Sequence, residues 1–116
     1  MAITPLERDV LKLNEAKEIT ITSKSAVFGV DAASGGDYKT CMLFANAGDS
    51  SANVTIAVGD GPLGAGKDLT FAVGAGKTKA IVVDSAYFKF FTGDYKDCYK
   101  VTPSAAVSVS AFELPQ

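Results

Sequence analysis

Between residues 54 and 83 the chain repeats a small unit: a short run of alternating large and small side chains, then a glycine turn. Val54-Thr55-Ile56-Ala57-Val58-Gly59 is echoed by Leu69-Thr70-Phe71-Ala72-Val73-Gly74. In each run three large apolar residues share one face while Thr and Ala share the other. That two-residue period belongs to a half-buried strand and not to a helix. The echo is too short for a repeat architecture; it describes two similar strands serving one sheet.

The turns between these runs imitate phosphate-binding loops. Gly61-Pro62-Leu63-Gly64-Ala65-Gly66-Lys67-Asp68 has Walker-A spacing, with Asp where a Ser or Thr should hold Mg²⁺. Gly74-Ala75-Gly76-Lys77-Thr78 ends correctly but has Phe71 in place of the opening Gly. Phosphate capture also needs a helix directly behind the loop, so that free N–H groups and the helix dipole face the anion. Here Leu69–Val73 follows the first glycine run and Ala80–Val83 the second, and both are strand-like. Gly59, Gly61 and Gly64 form an equally empty dinucleotide signature. We read these glycines as backbone reversals that use positive φ angles.

The rest of the chain extends the β pattern. Ile19 and Ile21 alternate with Glu18, Thr20 and Thr22. Residues 38–45 become apolar on both faces, as in a central strand. Asn46–Ser51 is turn chemistry. Strands are expected at 77–83, 87–91, 98–102 and 107–114, with a bulge near Ser110–Ala111 to reconcile Val107 and Val109 with Phe112 and Leu114. The expected fold is a single antiparallel β-sandwich, immunoglobulin-like or jelly-roll-like, over residues 18–116. Residues 1–17 stand apart. Thr4-Pro5-Leu6-Glu7 is a capping-box pattern, and Leu6, Val10 and Leu13 follow at helical spacing. They predict a short helix, or else an extended arm that docks on a neighbouring subunit.

Residue chemistry argues against most enzymes. The 116 residues include no His and two Cys. General acid–base catalysis and a zinc site therefore lack their usual groups. The aspartates from Asp31 to Asp97 lie mostly beside Gly or Ser, where Asp forms turns, and no EF-hand spacing occurs. No catalytic residue, cofactor or metal is expected. Arg8 is the one Arg among eleven basic residues and the net charge is −2, so nucleic acid is a poor partner. No apolar run is long enough to span a membrane. Met1–Asp9 lacks the pattern of a secretory signal, which favours free thiols at Cys41 and Cys98.

One cluster does suggest binding. Tyr87, Phe88, Phe90, Phe91, Tyr95 and Tyr99 are interleaved with Lys89, Lys96 and Lys100. Adjacent rings cannot all face a core, so part of this aromatic surface is expected at an interface. A stacking platform for a sugar or a single strand is the rival reading, though the chain has no Trp.

The order of features resembles a known group. A polar turn at Asn53 leads to Val-Thr-Ile-x-Val-Gly-x-Gly, then Asp68-Leu69-Thr70-Phe71-x-Val73, then Ala75-Gly76-Lys77-Thr78. An apolar strand ends in Asp84-Ser85-x-Tyr87-Phe88-Lys89, and a closing strand ends in Phe112-Glu113-Leu114-Pro115. This resembles small β-sandwich capsid decoration or auxiliary head proteins of tailed bacteriophages. The resemblance implies a non-enzymatic virion protein, made in the bacterial host cytoplasm. It would bind the major capsid protein on the outer capsid surface, as a monomer or a trimer. Leu6 and Val10 on the arm, with Tyr87, Phe91, Tyr95 and Tyr99, are the expected contact residues. The alternative is a carbohydrate- or host-surface-binding β-sandwich module.

Overall fold

A computed structural model describes residues 5–32, 40–61 and 66–114. They form an all-β sandwich. The strands are β1 (Asp9–Val10), β2 (Thr22–Lys24), β3 (Phe28–Asp31), β4 (Thr40–Ala45), β5 (Ala52–Ile56), β6 (Leu69–Val73), β7 (Thr78–Val82), β8 (Cys98–Pro103) and β9 (Val107–Glu113). One sheet runs β1-β9-β4-β7, with β2 on the same edge of β9 as β1; the other runs β3-β8-β5-β6. The second sheet is antiparallel throughout. The first is mixed, because β1 pairs parallel with β9, which corrects the wholly antiparallel expectation.

Alternation builds the core. Met42 and Phe44 of β4 and Val107, Val109 and Ala111 of β9 face inward from one sheet. Val30 of β3, Val54 and Ile56 of β5, Val73 of β6 and Val101 of β8 meet them from the other. The echoed runs pair with each other, Val54 opposite Phe71 and Ile56 opposite Leu69. Phe44 and Phe71 touch edge to face across the sandwich, centroids 5.5 Å apart.

Several expectations change. The N-terminal segment is not helical from Pro5 onward; Thr4 of the capping box lies outside the described residues. Leu6 N–H donates to Gly29 O at 2.7 Å, and Asp31 N–H donates to Leu6 O at 2.9 Å. β1 then continues along β9, and Leu11 N–H reaches Glu113 O at 2.9 Å. A helix this short has little stability of its own. The edges of β3 and β9 offer unpaired backbone groups that an extended segment satisfies. Arg8, only 4% exposed at its side chain, anchors the segment through Glu113 at 3.6 Å.

The strand expected at Ile19 and Ile21 begins only at Thr22, and Ile21 is 68% exposed. β2 pairs with residues 107–109 of β9 and β1 with 112–113, so the two share one edge. β3 was not anticipated. Part of the loop expected at 32–37 falls outside the described residues. The bulge in β9 is absent: its register with β4 is unbroken from Ser108 to Glu113. Ala111 fills the inward position and Phe112 faces outward. At 85–88 a single helical turn, α1 (Ser85–Phe88), replaces the expected strand. Asp84 O accepts from both Tyr87 N–H and Phe88 N–H at 3.1 Å.

A candidate partner-binding end

Strand direction sorts the connections by length. The short turns 46–51, 74–77 and 104–106 lie at one end of the sandwich. Residues 57–61 after β5, 66–68 before β6 and 83–97 after β7 lie at the other, together with β1 and the end of β9. Loops carried on a rigid scaffold are where binding groups usually sit.

At this end the 57–61 segment and the 84–98 segment are joined closely. Gly59 N–H donates to Tyr87 O at 2.8 Å. Asp60 Oδ1 accepts from Phe91 N–H at 2.6 Å, and Asp60 Oδ2 accepts from the Thr92 hydroxyl. Asp68 Oδ1 takes Val58 N–H at 2.8 Å. The 84–98 segment is fastened in turn to β8: Phe90 N–H donates to Cys98 O, Asp97 N–H to Phe90 O, and Lys89 bridges to Tyr99.

Gly76 has the positive φ expected of a reversal, but Gly59 and Gly61 have a different purpose. Neither Gly59 nor Gly61 has a positive φ; among the described glycines only Gly76 and Gly93 do. A Cβ on Gly59 would stand 2.3 Å from Lys89 O, and one on Gly61 would stand 2.4 Å from the Phe91 ring. They are glycine because another segment lies against them. Gly59→Ala is therefore expected to cost about 2 kcal/mol by forcing backbone apart. Urea unfolding measures it, and a neutral result would refute the close packing. Lys67 and Lys77 are both exposed and lead into β6 and β7, with no helix behind either.

Asp60 is exposed, yet its carboxyl is held below the ordinary value of 3.8, first by Phe91 N–H and then by the Thr92 hydroxyl. A depressed folded pKa stabilises fully above the unfolded value, and the contribution fades as pH falls through the lowered one. NMR should therefore show the Phe91 amide hydrogen-bonded at neutral pH and released below 3.8. In Asp60→Asn that acid transition should vanish.

The expected contact residues divide. Tyr87 is 45% exposed and Phe91 43%, with Lys89 Nζ 5.7 Å from the Phe91 ring centre. Val10 is exposed on the same end. Tyr95 is half-buried between Phe90, at 6.3 Å, and Lys100 Nζ, at 5.1 Å. Leu6 packs against the core. Tyr99, 4% exposed, belongs to the core, because β8 alternation turns it inward beside Val30. The staple made by Asp60 was not foreseen, although an Asp between two glycines was its visible trace.

Among the described residues no three His, Cys, Asp or Glu side chains form a metal-binding group. Cys41 and Cys98 are free thiols in different sheets. Burial raises the pKa of each, and for Cys98 the charges of Asp31 and Asp97 add to the effect. Both stay protonated, and weak as nucleophiles, at neutral pH. No protein-family model matches the chain, and no curated protein or solved structure matches it.

Proposed function

We propose that the protein is a non-enzymatic structural protein that binds the outer surface of a bacteriophage capsid and stabilises it. The observation that carries this reading is the end bearing Tyr87, Phe91 and Val10. Tyr87 and Phe91 are exposed there on a connection that hydrogen bonds already hold in place, and Val10 is exposed on β1 at the same end. A pre-ordered apolar surface loses little entropy on docking, and its charged margin of Lys89 and Lys96 turns away poor fits. A protein that binds the assembled shell and not its free subunits shifts assembly toward the shell.

Strand order supports a finer fold reading. β2-β9-β4-β7 facing β3-β8-β5-β6 is the arrangement of a jelly roll, an architecture used by viral capsid domains and by lectins. That likeness is one of architecture and assigns no residue a role. Against the lectin reading, the Tyr95 ring is already covered by Lys100 and Phe90.

The test is to mix the protein with expanded capsids lacking it and to sediment them. Stoichiometric binding is expected. The double variant Tyr87→Ser, Phe91→Ser should bind at least about 10-fold more weakly while staying folded. Absence of cosedimentation, together with glycan-array hits lost in the same variant, would replace this reading with the carbohydrate one.

A further inference from the structure

Residues 5–11 form an arm along one side of the sandwich, and the arm touches both sheets. Leu6 bridges in parallel to Val30 of β3, and β1 pairs in parallel with the end of β9. Arg8 lies between them. Its Nη1 donates to Asp31 O at 3.4 Å, and its Nη2 is 3.6 Å from Glu113 Oε1. Glu113 Oε1 is buried without a hydrogen-bond partner, so it depends on the guanidinium charge beside it. An unrelated strand laid along these edges would leave that carboxylate buried and uncompensated. The site is fitted to a strand with an arginine directly ahead of it, and Arg8 is the chain's single Arg.

The tether from arm to β2 has the opposite character. Every residue from Lys12 to Glu18 is exposed, Leu13 by 72%. The chain reverses at Leu13–Asn14, where Asn14 holds a φ of 59°, a left-handed conformation that side chains disfavour. Beyond the reversal, Thr20 N–H donates back to Asp9 Oδ2 of the arm at 2.9 Å. A specifically fitted terminal arm on an exposed, sharply turned tether is suited to changing places between identical chains.

We infer that the arm exchanges between two copies of this chain. Residues 5–11 of one copy occupy the β3 and β9 edges of the second, and the second arm returns the contact. The docking contacts all re-form in the exchanged pair, because the two sites are identical: Arg8 with Glu113 and Asp31, and Thr20 with Asp9. Only residues 12–18 change, and Asn14 leaves its left-handed turn as the tether extends. The competitor is docking within one chain. The tether, Lys12–Ile21, holds the arm at an effective concentration of about millimolar. The full chain is therefore a closed monomer when dilute and exchanges arms when copies are crowded. This holds whatever the loop end binds.

Disulfide trapping tests it. Asp9 and Phe112 are paired across β1 and β9, at a separation a disulfide can bridge. Asp9→Cys and Phe112→Cys are placed in separate chains, both with Cys41→Ala and Cys98→Ala, since Cys41 neighbours Phe112. Mixed at about 1 mM under mild oxidation, the two should join at least about 10-fold faster than Asp9→Cys joins Thr102→Cys, a cysteine at an exposed position of β8. Equal rates overturn the inference. A shortened tether gives an independent reading. Deleting residues 13–18 leaves Lys12, Ile19, Thr20 and Ile21 between Leu11 and Thr22. These reach roughly 17 Å when straight, and the direct path along β9 is taken by β1 itself. With docking in its own chain blocked, this variant should sediment as a dimer at about 10 µM, far below the concentration that exchange needs in the full chain. A folded monomer, with its arm docked or free, overturns the inference.

Discussion

Asn46→Asp is expected to remove about 4 kcal/mol of stability, although it changes a single atom type. Asn46 is buried where β4 ends. Its Nδ2 donates to Ser50 O at 2.8 Å and to Val73 O at 2.9 Å, and its Oδ1 accepts from Gly48 N–H at 2.9 Å. Its backbone is engaged as well, with Asn46 N–H on Lys77 O and Gly76 N–H on Asn46 O. One residue thus ties the 46–51 turn to the 74–77 turn and one sheet to the other. Aspartate keeps the acceptor but turns a carboxylate oxygen toward two carbonyl oxygens. Two hydrogen bonds are lost, at about 1 kcal/mol each, and a charge is buried without a cation, which costs more. The variant's carboxyl pKa should rise, since protonation restores one donor. Its deficit should therefore be largest at neutral pH and shrink as pH falls through the raised pKa. Urea denaturation at two pH values measures both effects. A loss below about 1 kcal/mol at neutral pH would show that Asn46 is not the pin described.

Phe44→Ala is expected to cost about 4 kcal/mol. The ring is fully buried between the sheets and meets Phe71 edge to face at 5.5 Å. Truncation removes its transfer free energy and leaves a cavity that two hydrogen-bonded sheets cannot close. Phe44→Leu keeps most of the volume and should lose less than half as much. Phe91→Ala, which removes a ring of the same size from the surface, should lie within about 1 kcal/mol of wild type. Equal losses for Phe44→Ala and Phe91→Ala would contradict the placement of the two rings. Both core variants should unfold in one transition, because each affects contacts between the sheets and not one sheet alone.

Some of this was legible residue by residue. The alternation in 54–58, 69–73 and 107–109 reports which side chains face inward, because strand geometry imposes a period of two on any sheet with one buried face. The absence of a helix behind Lys67 and Lys77 was readable for the same reason. Other features left little trace. The Leu6–Val10 spacing looks helical, yet unpaired edges on β3 and β9 compete for that backbone and win. Tyr87–Phe91 looks like a strand, yet both Tyr87 and Phe88 amides converge on the Asp84 carbonyl. Tyr99 differs from Tyr87 only in which strand carries it and on which parity.

Local composition thus determined an all-β chain with glycine-bearing turns, because side-chain period and turn chemistry act over a few neighbouring residues. Only tertiary structure decided which strands neighbour one another, which glycines face another segment, and which rings stay in water. Those outcomes depend on contacts between residues distant along the chain, such as Gly59 with Lys89 or Cys41 with Val82 and Phe112. No local pattern encodes such a contact, because its energy exists only after both segments have arrived.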